Sequence, residues 1–330
     1  MRPEILAPVG SMEALNAAIA AGCDAVYFGL PSFGARAFAN NFDLETTKEV
    51  IERCHLCGVK VYITMNTILY EDEMEDAYNM AKKVHLFGVD ALIIQDLGFI
   101  HLLHHRLPNL VLHASTQLSI SNPYQIEQLK KLGVKRVVLA RECTKEEVQA
   151  CVDTGIEVEV FVHGALCICY SGQCYFSSVH YGRSGNRGMC AQPCRMKYSL
   201  YEDGNKVDTH GDYVLSPKDL SLIDEVNTLA DMGVCSLKIE GRMKQPGYTA
   251  AVTGMYRKYL DILLSSDMTY QVNDRDRQYL LDIFSRGGSC QGYYKQHNGP
   301  SMMAFTNEKK TNGIPENLPR KKEPISGTLV

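Results

Sequence analysis

A cluster of cysteines near the middle of the chain is the strongest chemical signal in the sequence. Cys167, Cys174, Cys190 and Cys194 form a C-x6-C-x15-C-x3-C run, and Cys169 lies within it. Closely spaced thiolates bind either a structural zinc ion or an iron–sulfur cluster. Spacing alone does not separate the two, but tight C-x2-C pairs favour zinc and this run has none. The run therefore favours an iron–sulfur cluster, with zinc or metal-free thiols as the alternatives.

The N-terminal sequence predicts that these thiols are reduced. The segment MRPEILAPVGSMEAL contains no basic stretch followed by an apolar stretch of the kind that directs export. We therefore expect a cytoplasmic protein, in which disulfides are uncommon. Cys169 and Cys235 are candidates to replace one of the four ligands. Most of the other cysteines fall in helix or strand patterns, and we expect them to be small buried side chains.

Length and charge narrow the class of protein. A chain of 330 residues with 45% hydrophobic residues can form one large barrel or two smaller domains. The formal net charge of −4 excludes a generic polyanion binder, although a local basic face would still allow RNA binding. No apolar run approaches the roughly 20 residues that span a bilayer, so we expect no membrane interaction.

Short apolar segments alternate with amphipathic ones along most of the chain, as in repeated βα units around a parallel sheet. The predicted strands are Glu4–Ala7, Ala25–Phe28, Lys60–Thr64, Ala91–Ile94, Leu110–His113, Arg136–Leu139, Glu157–Val162 and Ser236–Ile239. The predicted helices include Ser11–Ala21, Leu44–Gly58, Glu71–Phe87, Pro123–Leu132 and Lys145–Thr154. Eight strands predict an α/β fold of the (β/α)8 TIM-like barrel type, although a doubly wound sheet fits the first six units almost as well.

Polar residues recur where the predicted strands end. They are Asn66, Gln95, Asp96, His113, Ser115, Thr116, Gln117, Arg141, Glu142, His163, Lys238, Glu240 and Arg242. In a barrel these strand ends meet at one mouth, which is the active face. This recurrence favours the barrel over the doubly wound sheet. Each residue taken singly is equally explained as a helix cap or a loop salt bridge, most of all Asp96 and Ser115.

A long insertion separates the last two predicted strands. Residues 164–233 greatly exceed an ordinary βα connection. In this insertion Arg183, Arg187, Arg195 and Lys197 interleave with Tyr170, Tyr175, Phe176, Tyr181 and Tyr198. Such residues can bind bases and phosphates, or can cover a cluster and neutralise its thiolates. We divide the chain into a barrel with the insertion (1–246), a helical extension (247–306), and a linker leading into a missing C-terminal domain (307–330).

Several segments resemble the peptidase U32 (collagenase-like) family. They are Glu159 to Cys167 (EVFVHGALC), Tyr170 to Cys174 (YSGQC), Leu6 to Gly10 (LAPVG), the pair Cys190 and Cys194 followed by Arg195, and Leu237 to Lys244 (LKIEGRMK). The resemblance implies a barrel with a cysteine-rich insert and a 4Fe-4S cluster bound by Cys167, Cys174, Cys190 and Cys194. Residues 322–330 resemble the lead into the extra C-terminal domain of the ribosomal RNA type within this family.

The resemblance also implies a function. Several bacterial members of the family are linked to C5-hydroxylation of a cytidine in 23S ribosomal RNA, to hydroxylation of the wobble uridine of transfer RNA, or to ubiquinone hydroxylation. The two RNA systems are linked to prephenate as the oxygen donor. We expect an RNA hydroxylase component, with the ribosomal cytidine favoured, and an electron-transfer partner if the reaction needs one.

Roles for individual residues follow from their positions beside the insertion. His163 and Glu240 are predicted to transfer protons. Arg141, Lys238 and Arg242 are predicted to bind anionic groups, and Asn66, His113 and Gln117 complete the predicted substrate contacts.

Two alternatives stay open. One is a peptidase, although the chain contains neither H-E-x-x-H nor G-x-S-x-G. The other is a binding module in which zinc or a cluster has a purely structural role.

Overall fold

The computed structural model describes residues 2–35, 42–241, 244–265, 270–295, 299–306 and 309–310. Its strands are β1 Glu4–Pro8, β2 Ala25–Gly29, β3 Lys60–Met65, β4 Ala91–Ile94, β5 Leu112–Ala114, β6 Arg136–Val138, β7 Glu157–Ala165, β8 Tyr201–Glu202, β9 Asn205–Lys206, β10 Tyr213–Pro217, β11 Asp219–Ser221, β12 Ser236–Ile239, β13 Ser285–Arg286, β14 Ser289–Cys290, β15 Met303–Phe305 and β16 Lys309–Lys310. Its α-helices are α1 Met12–Ala20, α2 Leu44–Leu56, α3 Met74–Leu86, α4 Leu97–Arg106, α5 Pro123–Lys131, α6 Lys145–Val152, α7 Phe176–Tyr181, α8 Val226–Met232, α9 Pro246–Leu264 and α10 Asp274–Ile283.

Eight parallel strands close into a barrel. Strands β1 to β7 pair in sequence order, and β12 pairs in parallel with both β1 and β7. This closure confirms the predicted (β/α)8 fold and excludes the doubly wound sheet. The strands read as continuous apolar runs because helices cover the outside and side chains fill the inside, so that every residue of β2 is buried.

The helices around the barrel begin at polar caps. The side chains of Ser11, Asp43, Asn122 and Thr144 each accept a hydrogen bond from a backbone N–H in the first turn of the following helix. Asp96 caps α4 in the same way, and Ser115 caps a short 3-10 turn after β5. Those two residues therefore act as the caps that their positions predicted.

The insertion forms its own small elements over the carboxyl ends of the strands. It contains α7, the β8–β9 hairpin, β10, β11 and α8. The hairpin turns at the sequence Glu-Asp-Gly-Asn, with Asp203 and Gly204 both at positive φ, as a tight two-residue turn requires. β11 pairs antiparallel with the end of β7 and parallel with β14, which extends the barrel sheet past its mouth.

The helix α9 lies in the helical layer of the barrel. It packs against α1 and β1, and α10 packs against α9 in turn. The predicted boundary at residue 246 stays a prediction. The segment 307–330, predicted to lead into another domain, lies outside the described residues except for 309 and 310. In the described part of the chain, no helix has the length and apolar character needed to cross a membrane.

Candidate active site at the mouth of the barrel

The Tyr170–Cys174 segment of the insertion is anchored to the loops that follow β5 and β6. The backbone N–H and the hydroxyl of Ser171 both donate to Glu142 Oε1, each at 3.1 Å. The backbone N–H of Arg141 donates to Ser171 Oγ at 3.4 Å, and Ser119 Oγ donates to the Ser171 carbonyl. Cys169 and Cys174 therefore flank a segment that contacts the strand-end loops directly.

Gly172 allows this close approach. Its φ is +72°, and a Cβ atom at this position would lie 2.1 Å from the backbone oxygen of Gln117. An L-amino acid would therefore be strained in its own backbone and would also push the insertion away from the loop after β5. The glycine in the YSGQC motif is required by this contact.

We expect Gly172→Ala to loosen the insertion. Gly182→Ala is the matched control because Gly182 also has positive φ, at +61°, but a Cβ there would meet nothing within 4 Å. The control should lose about 1 kcal/mol of unfolding free energy, the usual penalty of alanine at positive φ, and Gly172→Ala clearly more. Denaturant unfolding and limited proteolysis within residues 164–201 measure the difference. Equal losses in the two variants would contradict the assigned contact.

Two arginines hold the insertion in place, Arg195 by contacts within it and Arg187 by contacts with the barrel. Arg195 donates to Ser216 Oγ at 2.7 Å and to the carbonyls of Leu166 and Pro217 at 2.6 and 2.5 Å. Arg187 donates to Glu73 and to the Ile68 carbonyl in the loop after β3, and its guanidinium lies 4.4 Å from the centre of the Tyr70 ring. The insertion therefore reaches from β7 across to the β3 loop.

The four predicted ligands share one region of the insertion. Burial is the main reason that the pKa of Cys194 is raised to about 11, while Arg195 opposes the rise and the neighbouring thiolates of Cys167, Cys190 and Cys174 add to it. Cys169 lies beside Cys174, so it stays a candidate ligand. Cys235 is at the opposite end of the barrel near Arg136, which argues against its predicted substitute role.

The donor set consists of thiols, which either a zinc ion or an iron–sulfur cluster can use. A tetrahedral zinc needs thiolates about 2.3 Å from one point, and no group of three or more Cys, His, Asp or Glu side chains in the described residues meets at such a point. A 4Fe-4S cluster places its own iron and sulfide between the thiolates, so the choice between a cluster and zinc stays a prediction. All four sulfurs are free thiols, and Cys167 and Cys190 are exposed.

Arg141 and Glu240 form an ion pair at the mouth. Arg141 Nη2 donates to Glu240 Oε2 at 2.6 Å, and both side chains are largely buried. The Arg141 guanidinium also lies 3.9 Å from the centre of the Phe161 ring. The structure thus brings together two of the predicted site residues, one from the loop after β6 and one from the end of β12. Arg242, the neighbouring predicted contact, lies outside the described residues.

Asn66 and Gln117 are also brought together. Gln117 Nε2 donates to the Asn66 carbonyl at 3.1 Å, and Asn66 Nδ2 donates to Ser115 Oγ at 3.3 Å. Gln95 Nε2 donates to the Gln117 carbonyl at 3.2 Å, while its Oε1 is buried without a hydrogen-bond partner. These amides join the loops after β3, β4 and β5 into one polar side of the mouth.

His163 faces the helical layer rather than the inside of the barrel. β7 pairs Phe161 with Lys238 but His163 with Ile239, so one extra residue in β7 shifts the alternation at this point. The His163 ring lies 5.7 Å from the Tyr256 ring and 6.2 Å from the Tyr248 ring, both on α9. Its backbone carbonyl accepts from the N–H of Glu240 at 2.8 Å. The predicted proton-transfer role remains a prediction, and what the geometry supports is a residue that positions Glu240.

The buried imidazole of His163 predicts a loss of stability in acid. Burial, with a smaller contribution from Lys244, lowers the pKa of His163 from 6.5 to about 3. Below pH 6.5 the unfolded chain binds a proton at this histidine that the folded chain does not. The stabilising contribution of the buried His163 side chain is therefore complete above pH 6.5 and falls as the pH decreases toward 3. The expected slope is up to about 1.4 kcal/mol per pH unit.

His163→Asn should reduce the slope of unfolding free energy against pH between pH 6.5 and 4. The reduction should correspond to nearly one proton fewer taken up on unfolding. Burial and the charges of Arg136, Lys238 and Lys60 also lower the pKa of His113, so His113→Asn should remove a second proton. If neither variant changes the slope relative to the unmodified protein, the burial of these rings is contradicted.

Lys238 and His113 lie inside the barrel below the mouth. Lys238 Nζ donates to Glu159 Oε1 at 2.7 Å, and Arg136 Nη1 lies 3.4 Å from Glu159 Oε2. Arg136 also forms ion pairs with Glu4 and Glu157. The ring of His113 lies 4.9 Å from that of Tyr62, and its Nδ1 is buried without a partner. The predicted substrate contacts of Lys238 and His113 are not tested, but in this structure Lys238 belongs to an internal ion network.

Sequence reasoning missed four residues that shape the site. Glu159 and Arg136 form the internal network, and Ser171 and Gly172 hold the insertion. A signal existed for each pair. Glu159 and Arg136 are charged residues in largely apolar strands, and Ser171 and Gly172 lie in the YSGQC segment between two predicted ligands.

The fold and site define a class of protein: a closed (β/α)8 barrel whose mouth is covered by a cysteine-bearing insertion. Residues 10–304 match the sequence profile of peptidase family U32, which confirms the resemblance found in the sequence. The chain belongs to peptidase family U32.

Three relatives illustrate the range of names in this family. The chain is 41% identical over 264 residues to the 23S rRNA 5-hydroxycytidine C2501 synthase of Escherichia coli, covering 80% of this chain and 40% of that protein. It is 40% identical over 267 residues to tRNA hydroxylation protein P1 of Bacillus subtilis, covering 79% and 63%. It is 36% identical over 306 residues to a collagenase of Porphyromonas gingivalis, covering 88% and 73%. The chain thus spans less than two thirds of the length of the first two relatives.

Proposed function

We propose that this chain is part of a protein that supports C5-hydroxylation of a pyrimidine in RNA. A cytidine in ribosomal RNA is the favoured target, and the wobble uridine of transfer RNA is the next. The names of two relatives that are 40% or more identical to this chain support the proposal. Both RNAs are cytoplasmic in bacteria, so the same proposal implies a cytoplasmic protein.

One observation carries the proposal: the cysteine-bearing insertion is anchored to the same loop that supplies Arg141. Ser171, between Cys169 and Cys174, accepts from the Arg141 N–H and donates to Glu142. A redox group held by the insertion would therefore be close to the ion pair of Arg141 and Glu240. Such proximity suits a reaction that needs both a redox centre and a charged small molecule.

The proposed cofactor is a 4Fe-4S cluster held by Cys167, Cys174, Cys190 and Cys194, with zinc as the alternative. Hydroxylation at C5 of a pyrimidine requires redox chemistry or an activated oxygen donor, which amino-acid side chains do not supply and a bound cluster would. The exposed cysteines among the four leave room for an electron-transfer partner, if the reaction uses one.

The chain's own residues would bind and orient the reactants. Arg141 is stacked on Phe161 and paired with Glu240, and a donor carboxylate such as that of prephenate can take the place of Glu240 in this pair. The released Glu240 carboxylate can then accept a proton at the mouth. Asn66 and Gln117 form a neutral polar side on which the edge of a base can form hydrogen bonds.

Nucleoside analysis by mass spectrometry tests the proposal. Ribosomal and transfer RNA from cells lacking the gene should lose one hydroxylated pyrimidine, and the gene should restore it. Arg141→Lys keeps the charge but loses planar stacking and two-point binding, so it should restore much less. Arg53→Lys, exposed on α2, is the matched control and should restore fully. An unchanged nucleoside profile on gene deletion would refute the proposed function.

A peptidase is the second candidate because one relative is named a collagenase. Its geometric support is weaker. A histidine with a pKa near 3 is a poor general base at neutral pH, and His163 is directed toward α9. Cleavage of gelatin or labelled peptides by purified protein, abolished by a single substitution in the mouth, would support this candidate over the first.

A further inference from the structure

Helix α7 and the residues next to it carry five aromatic rings beside the predicted ligands, and four of these rings contact one another. We call Tyr175, Phe176, His180, Tyr181 and Tyr198 the aromatic surface. Their ring centres are separated by 5.0 Å for Phe176 and His180, 6.1 Å for Phe176 and Tyr198, and 6.3 Å for His180 and Tyr181. Tyr175 directly follows Cys174, and the thiolate of Cys194 is close enough to Tyr198 to influence its pKa.

Much of the aromatic surface is exposed to solvent. Tyr175 and Tyr181 are 64% and 52% exposed, and Val179 between them is 78% exposed. The backbone of α7 and of the turn that follows it is nevertheless held in place by hydrogen bonds. Ser177 Oγ accepts from the N–H of Ala191 at 2.9 Å, and Arg187 ties the following turn to Glu73 in the loop after β3. Exposed rings on a supported platform are typical of surfaces that bind a partner.

The charge around this surface favours an anionic partner. Residues 160–201 contain no Asp or Glu, although the chain as a whole has 38 of them, and they include Arg183, Arg187, Arg195 and Lys197. Arg187 and Arg195 anchor the insertion, and Lys197 pairs with Asp212 from outside this stretch. Arg183 is exposed at the end of α7, where its Nε donates to the Met189 carbonyl at 3.1 Å. A phosphate chain crossing α7 would meet no carboxylate from residues 160–201.

These features identify single-stranded nucleic acid as the matching partner. Unpaired bases stack on tyrosine and histidine rings whatever their sequence, while arginine binds the phosphates between them. The aromatic surface also belongs to the insertion that reaches over the mouth. A pyrimidine turned out of an RNA loop into the mouth would leave its neighbours free to stack nearby.

We infer that the aromatic surface binds the unpaired nucleotides that flank the target pyrimidine, with bases on Tyr175 and Tyr181 and a backbone phosphate at Arg183. This inference rests on the proposed RNA substrate. It adds a binding surface outside the mouth, formed by the cysteine-bearing insertion itself.

Fluorescence anisotropy with a fluorescein-labelled RNA stem-loop containing an all-pyrimidine loop tests the inference on anaerobically purified full chain. Because stacking contributes about 1–3 kcal/mol per base, the double variant Tyr175→Ala, Tyr181→Ala should bind at least about tenfold more weakly. The variant Tyr175→Phe, Tyr181→Phe keeps the rings and should bind normally. Leu86→Ala, which truncates an apolar residue that is even more exposed at the end of α3, is the control for surface change.

Four results would bear on the inference. Unchanged affinity in the double alanine variant would overturn it, as would an unmodified protein that does not bind the stem-loop. Reduced affinity with normal metal content and melting temperature would support it. If binding depends on the tyrosines but deletion of the gene leaves RNA nucleosides unchanged, the aromatic surface is an RNA-binding surface and the proposed hydroxylation function is wrong.

Discussion

Glu159→Gln is expected to destabilise the protein by about 3–5 kcal/mol, the usual consequence of removing one partner from a buried charge network. The Glu159 side chain is fully buried, and its two oxygens face Lys238 Nζ at 2.7 Å and Arg136 Nη1 at 3.4 Å. Glutamine has nearly the same shape but no charge, so it removes the carboxylate charge that Lys238 and Arg136 face inside the barrel. Denaturant unfolding measures the loss.

Glu157→Gln is the matched control for that change. Glu157 also pairs with Arg136, at 2.8 Å, but its side chain is 54% exposed. Water solvates the charges of an exposed ion pair when the pair is broken, so the pair stabilises the protein only slightly. This variant should therefore lose less than about 1 kcal/mol of unfolding free energy. The double variant Glu159→Gln, Lys238→Met should recover part of the large loss, because it also removes the buried ammonium that faced the Glu159 carboxylate. Equal small losses in the two single variants would show that the internal network does not contribute to stability.

Cys174→Ala is expected to remove most of the iron from anaerobically purified protein. The reason is that a cluster bound by three thiolates and one open site is lost readily during purification. Iron, sulfide and zinc analysis with an absorption spectrum measures the result. Cys151→Ala is the control, since Cys151 is a fully buried thiol on α6. It should keep its metal and change only core packing.

The same measurement separates the possible ligand sets. Full metal content in Cys174→Ala, together with loss in Cys169→Ala, would replace Cys174 by Cys169 in the set. One tightly held zinc per chain in the unmodified protein would remove the redox argument for hydroxylation. A folded Cys174→Ala variant without metal and without restored RNA modification would support a catalytic group, whereas a variant that unfolds would support a structural one.

Local sequence patterns determined the elements of this protein. Continuous apolar strands, polar helix caps such as Asp96 and the Asp-Gly turn between β8 and β9 each depend on neighbours a few residues apart, so they can be read directly from the chain. The repeated βα pattern and the polar strand ends were enough to predict the barrel. The density of cysteines was likewise enough to predict that a metal or cluster binds in the insertion, and that prediction still awaits its test.

The tertiary structure decided which polar residues share the mouth. Lys238 and Glu240 are two residues apart, yet one lies in the internal ion network and the other pairs with Arg141. Depth within a barrel depends on how far each strand is shifted against its neighbours, which no single strand encodes. The extra residue in β7 turned His163 toward α9 for a similar reason. The contacts that hold the insertion join residues from 29 positions apart, as for Ser171 with Glu142, to 114 positions apart, as for Arg187 with Glu73, and they exist only once the barrel has closed.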